Sequence, residues 1–298
     1  MKLSYDHEQR EHGAPIYAIC QGPDETFFTG GADKIVGQWQ ANTGTQVAFQ
    51  VKIDHGIYAL HYFQYQGIHC LAIGQSYGGV HLIDLDQKKE IAYLLGHKKG
   101  VFDIAYSNAS NQLILCGGDG SLSFWSLDNF KHQKTLFLES KKLRSLLIDE
   151  SKQHIWVTGG SGYLYSIDID TYAIINSLKL SNDSLNTIAS TGKQQLIIGG
   201  KDGHLYALNT TTLKHYQWAA HYQTIYKIIG LPEQQLFYSL SRDASIKCWN
   251  SNSLEMLHKQ QRVMGKGHAN SINDGVIINQ KLISVGDDRR VILWTLED

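Results

Sequence analysis

The stretch LILCGGDGSLSFW, Leu113 to Trp125, admits two readings. Glycines around one aspartate can cradle a phosphate. A phosphate loop, however, needs a Lys-Ser/Thr pair after the glycines and a helix behind it. Here the alternating run SLSFW follows, which is the pattern of a strand. The stretch therefore reads as strand, tight turn, strand.

Its counterparts recur along the chain. FFTGGADKIVGQW ends at Trp39, LAIGQSYGGVHLI at Ile83, IWVTGGSGYLYSI at Ile167, LIIGGKDGHLYAL at Leu208, FYSLSRDASIKCW at Trp249 and LISVGDDRRVILW at Trp294. The successive intervals, with Trp125 in its place, are 44, 42, 42, 41, 41 and 45 residues. Each unit opens on an alternating run such as VFDIAYS and closes on another such as KTLFLES. Four short strands in about 40–45 residues make one propeller blade. The spacing predicts an all-β fold, a seven-bladed β-propeller with four antiparallel strands per blade, as a single domain over residues 1–298. No segment keeps a 3.6-residue period, so almost no helix is expected.

At these residues the chain resembles the WD-repeat propellers. Units of that family carry a Gly-His pair, an Asp in the tight turn and Trp-Asp after the third strand. Four units here match in part, with His12, Asp33 and Trp39; His97, Asp119 and Trp125; His221, Asp243 and Trp249; and His268, Asp288 and Trp294. No Trp-Asp dipeptide occurs, although Asp84 and Asp168 keep its second position. The resemblance implies structural tetrads, in which Trp bonds Ser/Thr, Ser/Thr bonds His and His bonds Asp. Thr29, Ser239 and Ser284 supply three of the hydroxyls. The third unit has Cys116 where Ser or Thr is expected, so its tetrad reads as incomplete. The resemblance also implies that the N-terminal segment, Leu3 to Gln9, closes the last blade beside the strand ending at Trp294.

The same His, Asp and Ser/Thr sets look like catalytic triads. Their recurrence, once per blade and beside a Trp, argues for structure instead, and no catalytic residue is assigned. Ser239→Ala is expected to lower stability and remove no activity. There are 14 histidines, but the repeat position supplies at most one per blade, which spreads them around a ring rather than converging them on one point, so no metal or other cofactor is expected. The four cysteines, Cys20, Cys70, Cys116 and Cys248, lack CxxC spacing and read as buried thiols rather than as a zinc site or disulfides.

The formal net charge is −1, and no apolar run approaches the ~20 residues that span a bilayer. Neither nucleic acid nor a membrane is expected as a partner. The first residues, MKLSYDHEQREHG, contain no apolar leader core, and a cytoplasmic, monomeric ring is expected.

Function is therefore sought on the top face. By resemblance, two positions per blade surround the central opening there. The first series is Tyr17, Tyr58, Phe102, Arg144, Asn186, Tyr226 and Asn273. The second includes Gly118, Gly160, Lys201, Arg242 and Asp287. Aromatics and Arg are the residue types of binding hot spots. Beside them run Lys98, Lys99, Lys141 and Lys142. The expectation is a non-enzymatic scaffold whose top face takes a protein or peptide, acidic or phosphorylated. The alternative is a metal-assisted hydrolase or lactonase working in the central channel. That reading needs several inward carboxylates, and only Asp103 and Asp274 stand nearby.

Overall fold

A computed structural model of the chain describes residues 2–192 and 194–297. Its strands form seven four-stranded antiparallel sheets, one for each repeat. Blades 1 to 6 occupy residues 16–52, 57–95, 101–137, 143–179, 185–219 and 225–260. Blade 7 takes three strands from residues 272–297 and its fourth, Lys2–Gln9, from the other end of the chain. That closing strand runs antiparallel to Val291–Glu297, with Leu3 opposite Leu296 and Gln9 opposite Val291. The sheet edge that Trp294 would otherwise expose is thereby paired. Among the described residues the one helical segment is a single 3-10 turn, Pro232–Gln234.

In blade 3 the strands are Val101–Ser107, Gln112–Gly117, Ser121–Ser126 and His132–Phe137. The turn at Asp119-Gly120 joins the second and third. Gly120 sits at φ +83°, and a side chain there would collide with the carbonyl of Glu139. The glycines of the opening stretch thus serve a tight turn rather than a phosphate.

Strand alternation sorts the core. Leu113, Leu115 and Trp125 face blade 2 and pack with Ala72, Val80 and Leu82. Ile114, Cys116 and Phe124 face blade 4 and pack with Leu146, Ile155 and Val157. Cys116 is therefore an apolar filler between blades 3 and 4, on the face opposite the tetrad.

Two compact units divide the blades, blades 2, 3 and 4 in one and blades 1, 5, 6 and 7 in the other. In the latter, Tyr238 and Leu240 of blade 6 pack on Leu282, Ile292 and Trp294 of blade 7. Blade 7 in turn presents Ile283, Val285 and Leu293 to Ile16, Phe27 and Trp39 of blade 1.

Candidate partner-binding site

The histidine sites come first, because they look most like chemistry. In blade 1, Trp39 Nε1 donates to Thr29 Oγ1 at 2.7 Å. Thr29 Oγ1 lies 2.8 Å from His12 Nε2, and His12 Nδ1 lies 2.7 Å from Asp33 Oδ2. The same chain of bonds joins Trp249, Ser239, His221 and Asp243 at 2.9, 2.7 and 3.0 Å. It joins Trp294, Ser284, His268 and Asp288 at 2.8, 2.9 and 2.9 Å.

Blade 3 has the full set as well, which corrects the expectation drawn from Cys116. Ser123 supplies the hydroxyl, 3.0 Å from Trp125 Nε1 and 2.8 Å from His97 Nε2. His97 Nδ1 lies 3.1 Å from Asp119 Oδ1.

These hydroxyls are poor nucleophiles by placement. Each accepts the indole N–H, so its own proton goes to the imidazole, whose other N–H then goes to the carboxylate. Thr29, Ser123, Ser239 and Ser284 are all 0% exposed, so no substrate reaches them.

Where the Trp and His are missing, tyrosine fills the space. In blade 4 Glu139 takes the His position and accepts from Tyr165 OH at 3.3 Å and Ser161 N–H at 3.0 Å. Burial, then the Glu139 charge, raises the Tyr165 phenol well above its ordinary value. In blade 5 Tyr206 OH donates to Asp202 at 2.7 Å. Asp84 and Asp168 accept turn N–H groups from Gln87 and Thr171, at 2.8 and 2.7 Å.

The top-face series has a common backbone cause. Tyr17, Tyr58, Phe102, Arg144, Tyr226 and Asn273 each sit at a register shift between the first two strands of their blade. Each is the extra residue of a β-bulge, without a cross-strand partner, and a bulge re-aims its side chain. The bulge shows in the burial of the first strand. In blade 3 the buried positions are Val101, Ile104 and Ser107, three apart rather than two. Asn186, from the same series, is buried.

On blades 2, 3 and 4 these residues meet. The rings of Tyr58 and Phe102 stack with centroids 5.2 Å apart and planes at 17°. Arg144 Cζ stands 4.7 Å, and Lys142 Nζ 5.3 Å, from the Phe102 centroid. Two glycines let the rings lie down. A Cβ on Gly118 would sit 2.8 Å from Phe102, and one on Gly100 2.9 Å from Tyr58. All three side chains stay half-buried, and Lys98, Lys99, Lys141 and Lys142 around them are exposed.

Carboxylates near this cluster point inward. Asp119 is held by His97 and accepts from Lys98 N–H at 2.8 Å. Burial pushes its carboxyl up, but the His97, Ser121 and Lys98 hydrogen bonds outweigh that and hold it well below the usual range. Glu139 is 8% exposed and engaged as above. Asp103 Oδ2 crosses from blade 3 to blade 4, accepting from Ser145 Oγ and Leu146 N–H, both at 2.9 Å. Asp274 does the same from blade 7, accepting from Ile19 N–H of blade 1 at 3.1 Å and pairing with Lys227 of blade 6 at 2.8 Å. These two inward carboxylates staple blades.

The remaining top-face residues lie in the other unit. Tyr17 and Tyr226 are half-buried, and Lys201, Arg242 and Asp287 are exposed. Asn273 is tied down, donating to Ile16 O and Asp287 Oδ1, each at 2.8 Å.

Comparison with known proteins agrees with this geometry. The family model described as "WD domain, G-beta repeat" matches residues 4–40 and 88–126. The WD40 beta propeller domain of Doa1 superposes with a TM-score of 0.86 over 99% of this chain and 97% of that one, at 14% identity. The fold is a seven-bladed β-propeller, and two of its segments match the WD-repeat model. Striatin of Rattus norvegicus is 28% identical over 174 residues, 54% of this propeller and 22% of striatin. Topless-related protein 3 of Arabidopsis thaliana is 29% identical over 77 residues, 26% of this propeller and 7% of that protein. The match thus spans about a fifth of striatin's own length. Both segments matched by the repeat model end just past a tetrad Trp, Trp39 and Trp125.

Proposed function

We propose that this propeller is a non-enzymatic protein-interaction scaffold, with a binding surface on blades 2, 3 and 4. The Tyr58–Phe102–Arg144 cluster carries the reading. It is a half-buried aromatic pair under a cation, set on three adjacent bulges, and such residues dominate interface energetics. The exposed lysines beside inward-turned carboxylates favour an acidic or phosphorylated partner segment. The WD-repeat resemblance and the striatin and Topless matches support protein partners in general.

The enzyme alternative has less support. The His-Asp-hydroxyl sets are closed by indole N–H groups. Among the described residues no three His, Cys, Asp or Glu side chains come together as a metal site.

The test is affinity capture from the native lysate, wild type against Phe102→Ala/Arg144→Ala, with thermal melting as the fold control. Loss of a hot-spot pair weakens binding by roughly 30-fold or more. Capture of the wild-type partners should therefore fail while melting stays near wild type. Unchanged capture by a folded double variant removes this surface from the function.

A further inference from the structure

The connection from blade 6 to blade 7 runs over residues 261–271, eleven residues where those after blades 3, 4 and 5 take five. The extra length builds a small hairpin. Val263 N–H donates to Lys266 O and Lys266 N–H to Val263 O, both at 3.0 Å. Met264 and Gly265 at its tip have φ of +49° and +84°. Two successive positive φ values make a type I′ turn, whose first position favours Asn, Asp or Gly.

Met264 is out of place there on a second count. Four other large apolar residues adopt positive φ, namely Phe130, Tyr172, Leu213 and Leu254. All four are partly covered. Met264 is 98% exposed and its neighbour Val263 58%. Every residue from Gln261 to Lys266 is exposed.

The base of the hairpin is fixed. Buried Arg290 donates from Nη1 to Gly267 O at 3.1 Å. Lys266 Nζ stands 5.5 Å from the centre of the Tyr5 ring on the closing strand. Gly267 has φ +111°, and a Cβ there would press within 3.0 Å of Arg262 Cα. The tip thus projects as an exposed knob from a fixed base.

Its charge is one-sided. Lys259, Arg262 and Lys266 are exposed, and no Asp or Glu occurs between Glu255 and Asp274. Acids on neighbouring elements are engaged: Glu8 with Arg290, Asp6 with Lys281, Asp288 with His268. The net charge of −1 averages this local excess away, which is why the sequence as a whole points to no membrane.

We propose that the Val263–Met264 hairpin docks the protein on an anionic lipid surface. The two apolar side chains enter the head-group layer while Arg262, Lys266 and Lys259 meet the anionic head groups. A convex tip suits a fluid interface, which needs no preformed socket. Each cation near such a surface adds roughly fivefold to the partition. The contact is weak and reversible, without a second anchor.

Co-sedimentation with phosphatidylcholine vesicles, with and without phosphatidylserine, tests this. The wild type should pellet with the phosphatidylserine vesicles and stay in solution with phosphatidylcholine alone. Arg262→Gln/Lys266→Gln should lower that partition about 25-fold, and Val263→Ser/Met264→Ser should lower it on both counts of affinity and depth. A Met264→Trp variant should shift its emission to the blue on the same vesicles. Circular dichroism checks the fold, and these exposed positions leave it intact. Equal behaviour on both vesicles, wild-type partition by either double variant, or an unshifted indole overturns the proposal. A hairpin that docks on a protein instead gives no vesicle binding at all. The hairpin and the Phe102 cluster share no residue, so either reading can fail alone.

Discussion

Ser123 and Thr29 stand on different strands and hold the same place. In blade 1, Thr29 on the second strand is opposite Gly37 on the third. In blade 3 the pair is Leu115 and Ser123, so the hydroxyl has crossed to the third strand. Residues directly opposite each other point to the same face, so either one reaches the indole and imidazole. A count along one strand misses this and lands on Cys116, one residue past Leu115 and on the other face. Ser123→Ala orphans Trp125 Nε1 and His97 Nε2 in a buried site. It should cost about 1–3 kcal/mol in urea unfolding, matching Thr29→Ala in blade 1. A Ser123→Ala midpoint equal to wild type would show that blade 3 gains nothing from its tetrad.

At the scale of elements, the strands were legible and their irregularities were not. Alternation and the 41-to-45-residue spacing locate every sheet, because two-residue periodicity is what half-buried strands require. The bulges at Phe102 and Arg144 leave only a three-residue spacing of buried positions, and the one at Tyr58 buries the neighbours Ala59 and Leu60 together, signals easily read as noise. The stacking of Tyr58 on Phe102 depends on neighbouring blades and has no local signature. The closing strand was legible only through the family resemblance, which places Leu3 to Gln9 beside the strand ending at Trp294. Its hold is both apolar and ionic. Leu3 is buried, Tyr5 meets Trp294 edge-on at 5.9 Å, and Glu8 pairs with buried Arg290 at 3.0 Å. Glu8→Gln removes the countercharge from Arg290, which keeps only Asp288 at 3.7 Å and the Gly267 carbonyl. Breaking one side of a buried pair costs about 3–5 kcal/mol, and the second carboxylate should bring this to the lower end. Deleting residues 2–9 should cost more and expose the Val291–Glu297 edge, visible as a lower melting temperature with concentration-dependent aggregation. Melting unchanged by the deletion would mean that blade 7 is stable with three strands.

Across the molecule, four tetrads on separate blades place the same titration in parallel. Asp33, Asp119, Asp243 and Asp288 all sit below the usual carboxylate range, because hydrogen bonds from their histidines and from backbone N–H groups outweigh burial. A carboxylate depressed in the fold takes up its proton first in the unfolded chain. The stability it adds is complete above the unfolded value, about 4, and is lost as pH falls toward the folded one. Burial also lowers His221 from 6.5, more than its Asp243 bond raises it. Between 6.5 and that lower value the unfolded chain holds the extra proton, so acid again favours unfolding. At the alkaline end, burial raises the Cys70 thiol from 9.0 to about 11 and Tyr165 and Tyr238 above 10.0. The unfolded chain loses those protons first, so stability falls as pH rises past about 9. The urea midpoint should therefore form a plateau near pH 7–8.5. It should drop modestly below pH 6.5 and steeply below about 4. The tetrads supply most of the steep limb, beside Asp6 and Asp168, so Asp119→Asn should lower the plateau and flatten that limb, because one of the four tetrad carboxylates is gone. A midpoint that holds level from pH 7 to below 4, or an Asp119→Asn limb as steep as wild type, would remove the tetrads from the acid stability of the fold.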